Sequence, residues 1–177
     1  TWYAHASVGC LHVRPILNMK SNNDVIKMRA IAEEAFELVK KFNGSHSGEH
    51  GDGISRSEFN PIMFGEKLTN AFRELKSLMD PYGIFNPGKI VDAPKMDDRH
   101  LFRFSPGYTV SDFKTELDWS TWSGSSNGFQ GAVEMCNNNG ACRKLQGGVM
   151  CPSFRITGEE KDSTRGRANS LRLAMSG

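Results

Sequence analysis

The sequence predicts an α+β chain in two parts, and three observations carry that reading. Strand-like residues flank a glycine turn between Trp2 and Leu17. Two long stretches then place apolar residues at three- and four-residue steps, the spacing of amphipathic helices. Last comes a segment with clustered cysteines that ends in a helical pattern. The first part is expected over residues 1–93 and the cysteine-bearing part over 129–177. Between them, Asp and Pro are frequent and periodicity fades, so 94–128 reads as a linker.

His5 and His12 lie seven positions apart, an odd number. On one unbroken strand they would face opposite sides. The irregularity at Ser7-Val8-Gly9 must re-aim one of them if both are to meet one ion. Val25, Met28, Ile31, Ala35, Leu38, Val39 and Phe42 then mark the core stripe of a helix. Asn22 or Asn23 is its expected cap, and Lys40, Lys41, Asn43 and Gly44 its end. A glycine-rich polar loop spans 44–53. A second helix is expected from about Ile62 to Met79, with Phe64, Leu68, Phe72, Leu75, Leu78 and Met79 inward and Asp80-Pro81-Tyr82-Gly83 as its stop. Asn86-Pro87-Gly88-Lys89 reads as a turn, Ser123–Gly128 as a flexible loop, and Thr157-Gly-Glu-Glu160 as a capping box for a last helix.

With 38% hydrophobic and 24% charged residues, a soluble, core-forming chain is expected. The net charge of +2 does not point to a nucleic-acid partner. The basic tail from Arg143 to Arg172 holds only Phe154 as an aromatic, so it reads as a solvated face or a positive surround for an electron-rich group. No apolar run approaches the roughly 20 residues that span a bilayer. No secretory signal and no initiator Met are seen, and both ends break off inside structural patterns, so an internal fragment of a longer protein is expected. Cys136, Cys142 and Cys151 fall within sixteen residues. Such clustering favours a reduced compartment and a metal or cluster role over a disulfide scaffold. The expected location is cytoplasmic, either free or peripheral at the inner face of a membrane.

The chemistry concentrates in His5-Ala-Ser-Val-Gly-Cys-Leu-His12 and Gly48-Glu49-His50-Gly51-Asp52-Gly53. Two imidazoles and a carboxylate can hold a divalent ion with a coordination position open, and His50 is then free to move a proton. Against this, a lone histidine is an ordinary surface or core residue. Arg14 lies two residues after His12, hence on the same side of a strand, and could grip a substrate carboxylate in two-pronged fashion. Arg56 could do likewise; a surface ion pair is the plain alternative for each. Gly51-Asp-Gly53 lacks the third glycine of a dinucleotide fingerprint, so no phosphate cradle is present. Clustered thiolates ending in Cys-Pro suit a [4Fe–4S] centre, with a zinc knuckle as the competitor. Cys10 reads as a small buried residue.

Together these motifs resemble the FAD-linked oxidases of the vanillyl-alcohol-oxidase type, specifically the D-2-hydroxy-acid dehydrogenases. The family shows His-x-Gly-Asp-Gly-Asn-Leu-His, then Glu-His-Gly-x-Gly, then Asn-Pro-Gly-Lys. The counterparts are His5 to His12, Glu49 to Gly53 and Asn86 to Lys89. Val8 and Cys10 stand where Asp and Asn are usual. The remainder resembles the iron–sulfur extension of long fused members, on Met135-Cys136-Asn-Asn-Asn-Gly-Ala-Cys142, Val149-Met-Cys-Pro-Ser-Phe154 and Asp162-Ser-Thr-Arg-Gly-Arg-Ala-Asn169. Asn139 occupies the place of the second cysteine in a Cys-x-x-Cys-Gly-x-Cys motif, so a four-thiolate cluster needs a ligand from elsewhere, expected beyond Gly177.

The resemblance implies the C-terminal part of a cap or substrate domain, followed by the start of a mainly helical iron–sulfur module. It implies that His5, His12 and Glu49 bind zinc or manganese and that His50 is the general base. Asn86 and Lys89 would approach the flavin, and Cys136, Cys142 and Cys151 would hold an incomplete [4Fe–4S] cluster. FAD would be bound by a domain upstream. The expected reaction takes a D-2-hydroxy acid to the 2-oxo acid, with hydride passing to FAD and electrons to the cluster and an unnamed acceptor. A homo-oligomer is compatible with this outline. A metal-dependent hydrolase and a non-catalytic electron-transfer or docking segment are the rival readings.

Overall fold

The computed structural model describes residues 2–110, 114–122, 128–148 and 150–176, and the chain divides into two units, Thr1–Pro106 and Gly107–Gly177. Among the described residues it is mostly helical, with one two-stranded sheet. Most of the loop expected at Ser123–Gly128 lies outside the described residues.

The first unit opens with strand β1 (Trp2–His5) paired antiparallel to β2 (Cys10–Val13). A single 3₁₀ turn at Ala6–Val8 and a left-handed Gly9 reverse the chain. β2 stops at Val13, two residues before Pro15, which has no N–H to donate to a ladder.

Helix α1 runs over Asn22–Lys41. Its cap is Ser21, one residue before Asn22 and two before Asn23, the positions expected for it, and the Ser21 carbonyl accepts the Val25 N–H. Asp24 holds the first turn by accepting the Asn18 N–H at 2.8 Å. The buried positions are Val25 and Phe36, not the whole expected stripe. Ile31, Leu38 and Phe42 stay exposed, Phe42 at 76%. The face is rotated because Phe36 stacks on Phe59 with centroids 5.1 Å apart. Arg29, on that face, bonds Glu33, Glu58 and Asp97.

Helix α2 (Gly53–Ser57) leads into α3 (Asn60–Met79). The expected second helix is broken at Gly65, which has φ 79° and ψ 164°. Its expected inward face is also corrected: Phe64, Leu68, Leu75, Leu78 and Met79 are exposed, whereas Asn60 and Thr69 are buried. A two-stranded hairpin is too small to cover two helices of 20 residues each. The turn after α3 is strapped back onto the helices. Ile90 donates its N–H to Ser57 Oγ at 2.9 Å, and its carbonyl accepts Asn60 Nδ2 at 3.1 Å. Both clamping side chains are buried.

The stretch expected as a linker over 94–128 is partly packed. Met96 N–H bonds Glu58 at 3.1 Å, and the Asp97 carboxylate takes Arg29 at 2.6 Å. Farther on, Gln130 Nε2 donates to the Tyr108 hydroxyl and to the Thr109 carbonyl. The division between units therefore falls at 106/107.

The second unit contains α4 (Gly128–Glu134), α5 (Pro152–Thr157) and α6 (Thr164–Ser176). Its core joins Cys142, Cys151 and Phe154. The capping box expected at Thr157–Glu160 is corrected: Thr157 ends α5, and Gly158 turns left-handed behind it. Ser163 caps α6 instead. Its fully buried hydroxyl donates to the Glu160 carbonyl at 2.8 Å and accepts the Gly166 N–H at 2.9 Å. Among the described residues, no helix is long and apolar enough to cross a membrane.

Gly166 must be glycine, because a Cβ there would lie 1.9 Å from the Glu160 carbonyl oxygen. Gly166→Ala in the intact protein should cost about 1–3 kcal/mol, the usual scale of overpacking, measured by urea denaturation. An unchanged midpoint would mean that the first turn of α6 does not sit this tightly on the 160–163 turn.

Candidate metal centre

The hairpin register solves the parity problem of the two histidines. Tyr3 pairs with His12 and His5 with Cys10, so cross-strand partners carry opposite parity. Directly paired residues share a face. Tyr3, His5, Cys10 and His12 therefore stand on one side, with Ala4, Leu11 and Val13 on the other. The turn re-aims nothing within a strand; it reverses the chain, and reversal does the work.

The loop over 44–53 lies against this hairpin. Gly48 sits so close that a Cβ would be 3.3 Å from Val8 Cγ2 and 3.5 Å from Cys10 Cβ. Glu49 then reaches the turn. Its Oε1 accepts the Ser7 hydroxyl at 2.6 Å, and its Oε2 lies 3.1 Å from His5 Nδ1. The His50 ring is 4.7 Å from that of His5 and 5.0 Å from that of His12, centroid to centroid, and His5 and His12 are 5.1 Å apart. Each of the three imidazoles offers a nitrogen within 4.8 Å of the others.

The sequence reading put Glu49 beside His5 and His12 as the third ligand and left His50 as the base. The structure gathers all four. It makes His50 the third nearby imidazole and places Glu49 on Nδ1 of His5. With Nδ1–H given to a carboxylate, the lone pair of His5 is left on Nε2, the arrangement that prepares a histidine for a metal. Ser7 and Tyr3 belong to the site and were missed. Tyr3 was legible in the alternation with His5; nothing in the pattern marks Ser7.

Protonation states suit a cation. The His12 imidazole is held below its ordinary range, first by desolvation, then by His50 and His5 beside it, and further by Arg14 and Arg56. Glu49 is held below the usual carboxylate range, chiefly by the Ser7 hydroxyl and also by His5 and His50, against the opposing effect of burial. Neutral imidazole and ionised carboxylate are the forms that bind metals. Both features fit a divalent ion.

Arg14 lies on the same face, its guanidinium carbon 4.7 Å from the centre of the Tyr3 ring. Arg56 Nη1 donates to the Gly51 carbonyl at 3.0 Å, bracing the loop. Asn86 and Lys89 are exposed, with Lys89 Nζ 3.5 Å from Asn86 Oδ1. In the second unit, Cys142 and Cys151 are buried together, whereas Cys136 is half-buried with its Sγ 3.7 Å from Asn138 Oδ1. Arg165 donates its N–H to Cys142 Sγ at 3.4 Å. The Cys151 thiol is lowered to about 7, first by Ser153, then by the Phe154 N–H and the groups of Thr164. All four cysteines are free. Sulfurs receiving backbone N–H donors fit a thiolate-ligated group, but these three thiols alone do not fill a four-thiolate cluster.

Residues 1–90 match the family model of FAD linked oxidases, C-terminal domain. The chain is 35% identical over 176 residues to the D-2-hydroxyglutarate dehydrogenase of Escherichia coli strain K12, and 36% identical over 171 residues to that of Pseudomonas putida. Both matches cover 96% of this chain and 16% of the relative. The similarity therefore continues through the cysteine-bearing unit. A D-lactate dehydrogenase of Anaerostipes hadrus is 29% identical over 89 residues, half of this chain and 19% of that protein. No solved structure matches.

His12→Ala in the intact protein should weaken Zn²⁺ binding by at least about tenfold, a scale that outer-shell changes already reach. A lowered folded pKa keeps His12 neutral at pH 7, so its contribution is complete above about 6.5, the ordinary imidazole value, and is lost as the pH falls through the lower folded value. Chelator competition between pH 5 and 8 measures both. Unchanged affinity in the variant would remove His12 from the site.

Proposed function

We infer that this chain supplies the substrate-side groups of a flavin-dependent 2-hydroxy-acid dehydrogenase, and the premise is that it belongs to the family of FAD linked oxidases, C-terminal domain. It spans 16% of the D-2-hydroxyglutarate dehydrogenases it resembles, so the activity of the whole protein is part of this proposal. The observation that carries it is the meeting of His5, His12, His50 and Glu49 at one spot.

In this reading His5, His12 and Glu49 hold a divalent ion, zinc or manganese. A bound ion would acidify a coordinated 2-hydroxyl. His50, its ring within 5.0 Å of those of His5 and His12, takes the hydroxyl proton. Arg14, resting on Tyr3, and Arg56, braced on the loop, supply cationic charge for a substrate carboxylate. FAD, bound by a domain upstream, would supply hydride-accepting chemistry; Asn86 and Lys89 are this chain's proposed contacts to it. The favoured substrate class is a D-2-hydroxy acid such as D-2-hydroxyglutarate or D-lactate.

A second arrangement has a specific observation behind it. His50 is the third nearby imidazole, and Glu49 already serves His5. There the ligands are His5, His12 and His50, and Glu49 orients the first. For the second unit, we propose Cys136, Cys142 and Cys151 as three ligands of a [4Fe–4S] cluster completed from elsewhere, which would take electrons one at a time. The carrying observation is the buried Cys142–Cys151 pair with donors aimed at both sulfurs.

In the intact protein, D-2-hydroxyglutarate or D-lactate should reduce a dye. His50→Ala should lower kcat by about 10²–10⁴, the range for a general base, while leaving Zn²⁺ affinity in place; Glu49→Ala should weaken that affinity. Weakened Zn²⁺ affinity in His50→Ala as well would establish the three-imidazole arrangement, because Glu49 supports His5 in either one, and hydrolysis without dye reduction would replace the dehydrogenase with a metallo-hydrolase. Iron and acid-labile sulfide should both fall in Cys142→Ala. Zinc without sulfide in the parent would turn the cysteine site into a knuckle.

A further inference from the structure

The side chain of His46 is buried. It is 7% exposed, and neither ring nitrogen has a hydrogen-bond partner. Phe36 of α1 stands edge-on to the ring at 5.6 Å, and Phe64 of α3 lies at 6.4 Å. An apolar side chain would fill such a place at less cost, because a buried polar group without a partner forfeits its hydration. An unsatisfied group of this kind calls for an explanation.

The nearest charge is Asp52. Its Oδ1 lies 3.9 Å from His46 Nε2, a polar contact too long for a hydrogen bond. Asp52 is itself anchored, since its Oδ2 accepts Asn60 Nδ2 at 3.3 Å. Asn60 is fully buried and also donates to the Ile90 carbonyl. Asp52 is thus fixed to the start of α3, while His46 is wedged between aromatic rings of α1 and α3.

These two residues stand at opposite ends of the segment that carries Glu49 and His50. Drawing them together closes the base of the loop, while Glu49 and Gly48 tie its tip to the hairpin. We propose that His46 is a positioning residue: it clasps Asp52 across the base of the loop and thereby sets Glu49 and His50 against His5 and His12. The proposal rests on the metal reading above, and it holds for either choice of third ligand. A loop that must be ordered by the ion spends part of the binding energy on that ordering; a loop already clasped does not.

The test uses His46→Leu and His46→Gln in the intact protein. Zn²⁺ affinity is read by chelator competition, and the Co²⁺ absorption band reports ligand geometry. Leucine should weaken metal binding by about tenfold, the usual outer-shell scale, and alter the Co²⁺ band. Its melting temperature should hold, because leucine packs against Phe36 and Phe64 and no hydrogen bond is lost. Glutamine places an amide N–H near the position of Nε2 and should restore most of the affinity. A role confined to packing would move affinity and melting temperature together. Wild-type affinity in His46→Leu overturns the clasp, as does equal loss in both variants with a lowered melting temperature. If the unsubstituted protein binds neither Zn²⁺ nor Co²⁺, the metal reading itself fails, and the clasp falls with it.

Discussion

The Glu49 carboxylate joins the loop to the hairpin through both of its oxygens, one on the Ser7 hydroxyl and one on the His5 ring. Without that tie, the two histidine-bearing segments would be a short two-stranded ribbon and a glycine-rich loop, neither rigid alone. Because the partners are a charged acceptor and two donors, the contact is stronger than a neutral hydrogen bond. It also selects the tautomer of His5. One interaction therefore holds the geometry and prepares the chemistry, which is why the rest of the first unit makes sense as its support.

That support is polar as much as apolar. Phe36 and Phe59 stack, but the deeply buried positions around them include Ser57, Asn60 and Thr69. Ser57 and Asn60 grip both backbone groups of Ile90, a β-branched residue held at φ 69°. That conformation is costly for such a side chain and persists only where its surroundings impose it. The charges around the histidines follow the same logic. Desolvation first, then crowded imidazoles and two nearby arginines, disfavour a further proton on His12, while Glu49 remains ionised. The result is a neutral His12 beside cationic side chains, suited to a cation at the centre and a carboxylate at the rim.

The second unit is organised around sulfur. Cys142 and Cys151 share a small core with Phe154, and each sulfur meets groups from the start of α6 or α5. Ser163 and Gly166 make that approach possible, one as a buried cap and the other by lacking a Cβ. Arg165, raised above its ordinary range mainly by Glu160, adds positive charge near Cys142 and Cys136. A thiolate-bound group would find both donors and charge in place here.

Much of this was readable in the residues. The hairpin, both long helices and the two histidine-bearing motifs follow from alternation, from three- and four-residue spacing and from glycine clusters, all of which are local. The family resemblance rested on the same strings. Other features were not local. The Phe36 face of α1 emerged over the Ile31–Leu38 stripe because contacts with Phe59 and the acidic partners of Arg29 decide a helix's rotation. The break at Gly65, the Ser163 cap and the packed residues 94–110 likewise depend on distant partners. The sequence by itself determined which groups could serve a metal, through residue type and motif. Only the tertiary structure decided how they are arranged, with His50 brought beside His5 and His12 and Glu49 bonded to His5. Chain reversal and loop docking set which side chains share a space, and no spacing along the chain encodes that.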